Sequence, residues 1–372
     1  MMKVLYVAHF REASGWSQAA IDNVLCLDKA GVDVTCRNIK LTDKNVDVPD
    51  RIKELESKDI SEFTHIIQHV LPHHFKTNNV SKNILYLAFE TNTVKYSNWY
   101  TEILMADEVW VPNHQLKNVL ENDGIKTVKV VPHTFDMSAY DDEKITHRLN
   151  MPEIEHAFKF YYIGDLNGRK NLESIVRCYH SEFHEDENVA LVLKVNKHGL
   201  DPSQLQQYMH EFSGQIKASL RIYNHADKFR PEIFITEYFP KSTILALHQT
   251  CDCFLNPSHG EAWSIPSFEA MAMGKTPICS NEGGPKEFID KENSDTGSLI
   301  DGIYNVCNHP DPAFPTLFTG RDNWFVPSEK DIKKQMRFYY ENRGKVNPKE
   351  GLCRANKFSY ENVAKIMIKE LT

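Results

Sequence analysis

Short, nearly continuous apolar runs alternate with amphipathic stretches along the first 135 residues, and this alternation constrains the fold more than any other feature. A strand without polar interruptions is buried on both faces, which is typical of a parallel sheet covered by helices. The amphipathic stretches between the runs are expected to be those helices. The predicted strands are VLYVA (4–8), VDVTC (32–36), HIIQHV (65–70), ILYLAF (84–89), EVWVP (108–112) and VKVVP (128–132). The predicted helices are 17–30, 98–106 and 114–123.

The same pattern restarts after a polar, proline-containing stretch at 141–157, which we interpret as a linker. The chain is therefore predicted to be α/β, with two domains in tandem over 1–150 and 151–355. The predicted strands of the second domain are FKFYYIG (158–164), ALVLKV (190–195), SLRIY (219–223), IFITEYF (233–239), DCFLNPS (252–258) and TPICS (276–280). Its predicted helices are 171–182, one opened by Asp201 and Pro202, 241–250, 264–273 and 329–343. A last helix, 360–371, follows this domain.

The composition of the whole chain limits the function classes. Its 372 residues carry a formal net charge of -8, which argues against general nucleic-acid binding but leaves a local basic groove open. No stretch has the roughly 18 uninterrupted apolar residues that indicate a membrane-spanning helix. The N-terminal apolar run is short and closely followed by charges, so it predicts a strand rather than a signal peptide. The eight cysteines form no CxxC pair, which argues against a zinc or redox site and favours a reducing, cytoplasmic compartment.

The loop after the first strand of the second domain has the composition of an anion-binding site. IGDLNGRKNLE (163–173) contains two glycines and the cations Arg169 and Lys170, and it leads into a predicted helix. The N–H groups and dipole of a helix N-terminus attract anions, and neighbouring cations strengthen that attraction. A phosphate site is the functional interpretation, and a solvated basic pair at a helix start is the alternative.

Three further segments at strand ends are candidates for ligand contact. In SGWSQ (14–18), Gly15 would let the backbone approach a ligand, although an ordinary turn has the same composition. The chain lacks GxGxxG, so nothing supports a nicotinamide or flavin cofactor. Glu90 in LAFETNT (87–93) ends an apolar run, where a capping or turn role is the alternative. The histidines of HIIQHVLPHH (65–74) lack the spacing of metal ligands, so no metal site is expected there.

The segment HGEAWSIPSFEAMAMG (259–274) carries two glutamates in mostly apolar surroundings. A buried carboxylate is costly without partners, so each needs a polar neighbour or a ligand. Pro266 and Ser267 are expected to start a helix with Glu269 in its first turn, where a carboxylate interacts favourably with the helix dipole. Glu261 lies in the loop before that helix and has no comparable structural explanation.

These motifs, in this order, resemble the retaining glycosyltransferases of family 4, and the resemblance covers essentially the whole chain. Glu261 and Glu269 match the E-x7-E signature, IGDLNGRKNL resembles the diphosphate loop, and GWSQAA resembles the N-terminal glycine loop. ADEVWVPN, VKVVPHTFD, NEGGPKEFI and FSYENVAKI also match. The resemblance implies the GT-B fold, with two Rossmann-like domains facing each other across a cleft. The C-terminal helix, at about 356–372, would cross back to the first domain.

The resemblance also implies roles for the matched residues. Arg169 and Lys170 would clamp a diphosphate, Glu261 would face the hydroxyls of the donor sugar, and Glu269 would bind ribose hydroxyls. The family commonly has a histidine where this chain has Glu90, so Glu90 would contact the donor or the acceptor, or act as a base. The other donor-binding residues that the resemblance implies are Gly15, Trp16, Asn171, Thr236, Tyr238, Ala262, Trp263, Ser264 and Ile265.

The implied activity is transfer of a sugar, with retention of configuration, from a nucleotide-diphosphate sugar to an unidentified acceptor. The acceptor is expected among glycans, lipid carriers, proteins and modified nucleic acids. No cofactor or metal is expected, because the chain has no Asp-x-Asp pair and already places cations in the diphosphate loop. Two alternatives stay open: a sugar-nucleotide epimerase or phosphorylase on the same fold, and a non-catalytic nucleotide-sugar-binding module.

Overall fold

The computed structural model groups the chain into two compact units. The first unit contains Met1–Ser138, Phe314–Asp322 and Asn356–Thr372, and the second contains Ala139–Ala313 and Asn323–Ala355. The structure describes residues 2–12, 14–43, 45–60, 62–140, 145, 147–223, 228–307 and 317–372.

The first unit is built on a parallel sheet whose strands lie where the apolar runs predict them. The strands are β1 (Lys3–Ala8), β2 (Asp33–Asn38), β3 (His65–His69), β4 (Lys82–Tyr86), β5 (Glu108–Val111) and β6 (Val128–Val130). Their order is β2-β1-β3-β4-β5-β6, and every neighbouring pair is parallel. The helices are α1 (Gly15–Lys29), α2 (Asp50–Ser57), α3 (Trp99–Leu104) and α4 (His114–Asn122). The sequence analysis did not predict α2.

The second unit contains another six-stranded parallel sheet. Its strands are β7 (Phe158–Asp165), β8 (Val189–Asn196), β9 (Glu232–Ile235), β10 (Cys253–Asn256), β11 (Ile278–Ser280) and β12 (Ser298–Ile300). The order is β12-β11-β10-β7-β8-β9. A separate antiparallel pair, β13 (Gly302–Val306) and β14 (Asn323–Pro327), was not predicted. The helices are α5 (Leu172–Glu182), α6 (Pro202–Leu220), α7 (Lys241–Thr250), α8 (Ile265–Ala272), α9 (Pro285–Phe288), α10 (Glu329–Glu341) and α11 (Pro348–Ala355).

The predicted strand SLRIY (219–223) is wrong. Helix α6 continues to Leu220, and Arg221 then adopts a left-handed conformation with φ of 54°. The helix begins at a capping box in which the side chains of Asp201 and Gln204 each accept from the other's backbone N–H. A helix that has been nucleated gains one hydrogen bond for each residue it adds, so it extends into a short segment of β-prone composition.

Strand β8 faces a different core on each side of the sheet. Leu191, Leu193 and Val195 belong to the core formed with α5, α6 and α10. Ala190 and Val192 belong to the core formed with α7 and α8. Successive side chains of a strand point to opposite faces, so this alternation fixes which helices each position of β8 meets.

The last helix, α12 (Tyr360–Leu371), belongs to the first unit and has the predicted bounds. Ser359 caps its N-terminus by accepting from the backbone N–H of Asn362. The hydroxyl of Tyr360 donates to Oδ1 of Asp22 in α1 at 2.6 Å. Cys26, also in α1, donates from Sγ to the carbonyl of Tyr360 at 3.1 Å. The C-terminal helix is thus fastened to the first helix of the chain. Across the described residues, no helix is both long enough and apolar enough to span a membrane.

Candidate active site

Glu261 lies in a buried loop of the second unit, and two cations hold its carboxylate. Lys170 donates from Nζ to Oε1 of Glu261 at 2.6 Å, and Nη1 of Arg169 lies 3.7 Å from Oε2. Arg169 also donates from Nη1 to the carbonyl of Gly260 at 2.7 Å, which fixes the guanidinium against the same loop. Asn256 donates from Nδ2 to Oε1 of Glu261 at 3.4 Å. The structure therefore brings Arg169, Lys170 and Glu261 together, and we call these three residues the Glu261 cluster.

The cluster keeps Glu261 ionised. Burial, which leaves 6% of the residue exposed, acts to raise its pKa. The charges of Lys170 and Arg169, together with hydrogen bonds from Lys170 and Asn256, outweigh burial and lower the pKa below its ordinary value. At neutral pH the cluster thus consists of two cations and one carboxylate, which leaves an excess positive charge in a largely buried place.

The local backbone between β7 and α5 presents the two cations. Gly168–Lys170 forms a single 3-10 turn, and the side chain of Asn167 caps it by accepting from the backbone N–H of Lys170 at 3.1 Å. Asn171 then adopts a left-handed conformation, with φ of 54° and ψ of 41°. Its side chain donates to the carbonyl of Pro257 at 2.9 Å. That bond ties the cation-bearing turn to the loop that carries Glu261.

Two glycines pack against the loop from the other side. Gly284 donates from its N–H to the carbonyl of Glu261 at 2.9 Å. A Cβ on Gly284 would lie 2.2 Å from Cα of Trp263, and one on Gly283 would lie 2.0 Å from the carbonyl oxygen of Glu261. Ala262 and Trp263 are themselves buried. Backbone therefore packs directly on backbone here, which explains the GG of NEGGPKEFI, a pair to which the sequence analysis gave no role.

Ser264 ends the loop in a strained conformation and starts α8. Its φ of 70° lies in the left-handed region, which is unfavourable for a residue other than glycine. Asn256 donates from Nδ2 to Oγ of Ser264 at 2.7 Å, and Oγ of Ser267 lies 2.6 Å from the same oxygen. Ile265 is the first residue of α8, followed by Pro266. This conformation turns the chain directly from the loop into the helix.

Glu269 lies beyond the first turn of α8, so the predicted first-turn position is wrong. The helix begins at Ile265, earlier than the proline predicted. Glu269 is buried and forms an ion pair with Lys241 of α7. Tyr140 donates from its hydroxyl to Oε1 at 3.3 Å, and Nε2 of His248 lies 3.6 Å from Oε2. Burial lowers the pKa of His248 well below its ordinary value. The sequence analysis missed all three neighbours, because no motif or spacing links them to Glu269.

Thr236 and Tyr238 lie in the loop between β9 and α7. The predicted strand 233–239 was too long, since β9 ends at Ile235. Thr236 is buried and donates from Oγ1 to the carbonyl of Pro202 at 2.9 Å, whereas Tyr238 is 72% exposed. In the sheet, β8 separates β9 from β7, the strand that leads to the Glu261 cluster.

Three predicted site residues belong to the first unit. Gly15 is the first residue of α1, and Trp16 donates from Nε1 to the carbonyl of His69 at 3.1 Å. Glu90 follows β4 and is partly buried. Within the described ranges, no group of three or more His, Cys, Asp or Glu side chains is arranged to hold a metal ion.

The geometry of the second unit suits an anionic ligand. Strands β7 and β10 are neighbours, so the loops at their carboxyl ends, with Arg169 and Lys170 on one and Glu261 on the other, lie side by side. An anion can bind the two cations without an energetic penalty for gathering them, because Glu261 already does so. The buried carboxylate of Glu269 stands on the helix that follows the same loop.

Replacing Gly284 with alanine should disrupt the Glu261 loop. The new Cβ would meet backbone atoms of Trp263, which cannot move without shifting the loop. We expect a loss of about 1–3 kcal/mol in the free energy of unfolding, measured by urea denaturation. Gly214→Ala is the matched control, because its Cβ would meet nothing within 4 Å in the middle of α6 and should stabilise by about 0.5–1 kcal/mol. Equal stability of the two variants would contradict the close packing described here.

The lowered pKa of Glu261 predicts an acid-dependent stability. The folded-state pKa lies below the unfolded value, so the ionised carboxylate stabilises the fold above about pH 4.3. That contribution is lost as the pH falls through the folded pKa. Glu261→Gln should therefore melt below the wild type at pH 7, and the difference in Tm should shrink as the pH falls below about 4.3. A difference in Tm that stays constant over this range would contradict the assignment.

Comparison with known proteins connects this site to a family. Residues 152–305 match the family model described as "Glycosyl transferases group 1". An uncharacterized glycosyltransferase of Methanocaldococcus jannaschii is 23% identical over 234 residues. That match spans 63% of this chain but only 50% of the relative, so the chain corresponds to about half of that protein's length.

Solved structures share the whole fold. Sucrose-phosphate synthase from Thermosynechococcus elongatus has a TM-score of 0.66 at 15% identity, over 99% of this chain and 98% of that chain. Anabaena HepE in complex with UDP-glucose has a TM-score of 0.62 at 12% identity, over 100% of this chain and 99% of that chain. These identities are low, so the likeness concerns the fold, and it confirms the predicted α/β architecture of GT-B type. The matched segment, residues 152–305, contains Arg169, Lys170, Glu261 and Glu269.

Proposed function

We propose that this chain is a retaining glycosyltransferase that moves a sugar from a nucleoside-diphosphate sugar to an acceptor hydroxyl. The observation that carries the proposal is the Glu261 cluster, in which Lys170 and Arg169 already converge on one buried carboxylate. The complex of HepE with UDP-glucose supports a UDP-sugar as the donor. The acceptor hydroxyl belongs to a glycan, a lipid carrier, a protein or a modified nucleic acid.

The diphosphate binds Arg169 and Lys170 in this proposal. Negative charge develops on the leaving diphosphate as the glycosidic bond breaks, and cations that are already in position stabilise it without further reorganisation. Glu261 then faces the hydroxyls of the donor sugar, where its negative charge also favours an oxocarbenium-like state. The departing phosphate takes the proton of the acceptor on the same face of the sugar, so the configuration is retained. No metal takes part in this mechanism.

In this proposal the second unit also supplies the contacts to the ribose, the sugar and the base of the donor. Glu269 binds ribose hydroxyls and exchanges its contact with Lys241 for them. Asn171 and the backbone N–H groups of the loop before α8 lie along the phosphate and the sugar, and the base lies near Thr236 and Tyr238. The loop residues are Ala262, Trp263, Ser264 and Ile265.

The first unit supplies the other contacts of the proposal. Gly15 and Trp16 approach the donor phosphate, and Glu90 contacts the donor sugar or the acceptor in place of the family histidine. The second unit is the donor-binding domain, and the first unit is the acceptor domain.

Lys170→Ala tests the diphosphate clamp. The wild type is incubated with UDP-glucose, UDP-N-acetylglucosamine, GDP-mannose and ADP-glucose without acceptor, and slow release of the nucleoside diphosphate is measured. Loss of Lys170 should reduce that rate by about 10²–10³-fold, because one charge-stabilising donor is removed. The Tm should fall as well, because the buried carboxylate of Glu261 loses its ion-pair partner, so the rate is measured well below the Tm of the variant. Lys291→Ala, at an exposed lysine of the second unit, is the control and should keep full activity.

Three outcomes separate the candidate functions. Unchanged turnover in Lys170→Ala would refute the clamp. Tight binding of a nucleotide without hydrolysis or transfer to any acceptor would identify a binding module instead. Failure of all four donors to bind would overturn the proposed function.

A further inference from the structure

Lys194 is a buried lysine for which the proposed chemistry gives no role. It lies in β8, and only 2% of the residue is exposed. Among the described residues, its hydrogen-bond acceptor is Oδ1 of Asn196, at 2.7 Å from Nζ. A buried ammonium group loses its hydration, and one side-chain amide compensates for only part of that loss. A lysine kept in such a place calls for a functional explanation.

The position of Lys194 in the sheet points to the donor site. Ala190 and Val192 face the core formed with α7 and α8, so the alternation of β8 places Lys194 on that same face. Glu269, the proposed ribose contact, also stands on α8. Lys194 is two residues from the carboxyl end of β8, and ligands of open parallel sheets bind beyond that end.

Across the sheet, Lys194 lies between two loops: the one to which the proposed function assigns the diphosphate and the one to which it assigns the base. It pairs in register with Ile163 of β7 on one side and Ile235 of β9 on the other. Strand β7 continues into the turn with Arg169 and Lys170, and β9 continues into the loop that begins at Thr236. A ligand that extends from one loop to the other would therefore pass the end of the strand that carries Lys194.

The ammonium lies beside an aromatic ring and keeps its charge. Nζ lies 5.7 Å from the centre of the Phe239 ring, which belongs to the loop after β9. Burial lowers the pKa of Lys194 to about 8, against the opposing charges of Asp165 and Glu237. The group is thus still protonated at neutral pH. A protonated lysine has three N–H donors and no acceptor.

We propose that Lys194 reads the nucleobase of the donor by donating a hydrogen bond to its exocyclic carbonyl oxygen. This inference rests on the proposed function and adds a base class to it. Uracil at O4 and guanine at O6 present an acceptor, whereas cytosine and adenine present an amino group at the corresponding position. A donor-only ammonium group attracts the first pair and opposes the second. The residue thereby selects keto bases, uracil or guanine, over amino bases.

The pair UDP and CDP tests the inference, because uracil has a carbonyl oxygen at position 4 and a proton on N3, whereas cytosine has an amino group at position 4 and no proton on N3. Isothermal titration calorimetry of the wild type should show UDP binding about tenfold or more tightly than CDP, as a charged hydrogen bond is gained in one case and opposed in the other. GDP and ADP form the corresponding purine pair. Lys194→Met should weaken the binding of UDP to the level of CDP, and it should change the affinity for CDP by no more than about twofold.

Lys159→Met is the matched control. Lys159 is also buried in a strand of the same sheet, but its Nζ donates to the carbonyls of Glu155 and Ala157 near the amino end of β7. Its loss should leave the preference for UDP intact. Lys194→Met should keep or raise the Tm, since it removes a desolvated charge. A purely structural lysine would show the reverse, with a lower Tm and an unchanged preference.

Each contrary result has a distinct meaning. Equal weakening of UDP and CDP in Lys194→Met would place the ammonium on the ribose or phosphate and overturn base reading. If the wild type prefers neither UDP over CDP nor GDP over ADP, base reading is overturned. This part of the test needs no variant, so it does not depend on the folding of Lys194→Met. Binding of none of the four diphosphates by the wild type would instead overturn the proposed function, and base reading with it.

Discussion

The ion pair between Lys170 and Glu261 is the interaction on which the second unit's site depends. A carboxylate with 6% exposure needs a partner, and two neighbouring cations repel each other unless a negative charge lies between them. Glu261 supplies the negative charge that the two cations need between them, and the cations supply the partners that the buried carboxylate needs. The result is a group of three charges that is assembled without a ligand, and the proposed diphosphate would meet cations that are already in position.

Backbone features hold this group of charges in place. Asn171 and Ser264 adopt left-handed conformations at the two ends of the site, and each has side-chain hydrogen bonds that stabilise its turn. Gly283 and Gly284 let another segment pack directly on the loop of Glu261. Strained or tightly packed backbone of this kind costs free energy and persists where the surrounding structure determines it, as is common at functional sites.

Most strands of the two sheets could be predicted from the sequence. Continuous apolar runs indicate buried parallel strands, and an N-cap residue followed by proline, as at Asp201 and Pro202, indicates a helix start. Local sequence patterns gave the wrong prediction at 219–223. Helix formation is cooperative, and the well-capped helix α6 extends to Leu220, into the segment predicted as a strand. Local patterns also failed for Lys241, Tyr140 and His248 around Glu269, because these contacts are set by how α7, α8 and the short turn at 137–140 pack together. Lys194 lies inside an apolar run, and no sequence pattern marked it as a candidate site residue. Its burial and its position in the sheet distinguish it in the structure.

The central claim is that Arg169 and Lys170 bind the second phosphate of the donor, and a comparison of UDP with UMP measures it most directly. Calorimetric titration of the wild type should show UDP binding at least about tenfold more tightly than UMP, because charge-assisted hydrogen bonds to the second phosphate add to the affinity. In Lys170→Ala that difference should fall to about threefold or less. An undiminished difference between UDP and UMP in Lys170→Ala would contradict the account.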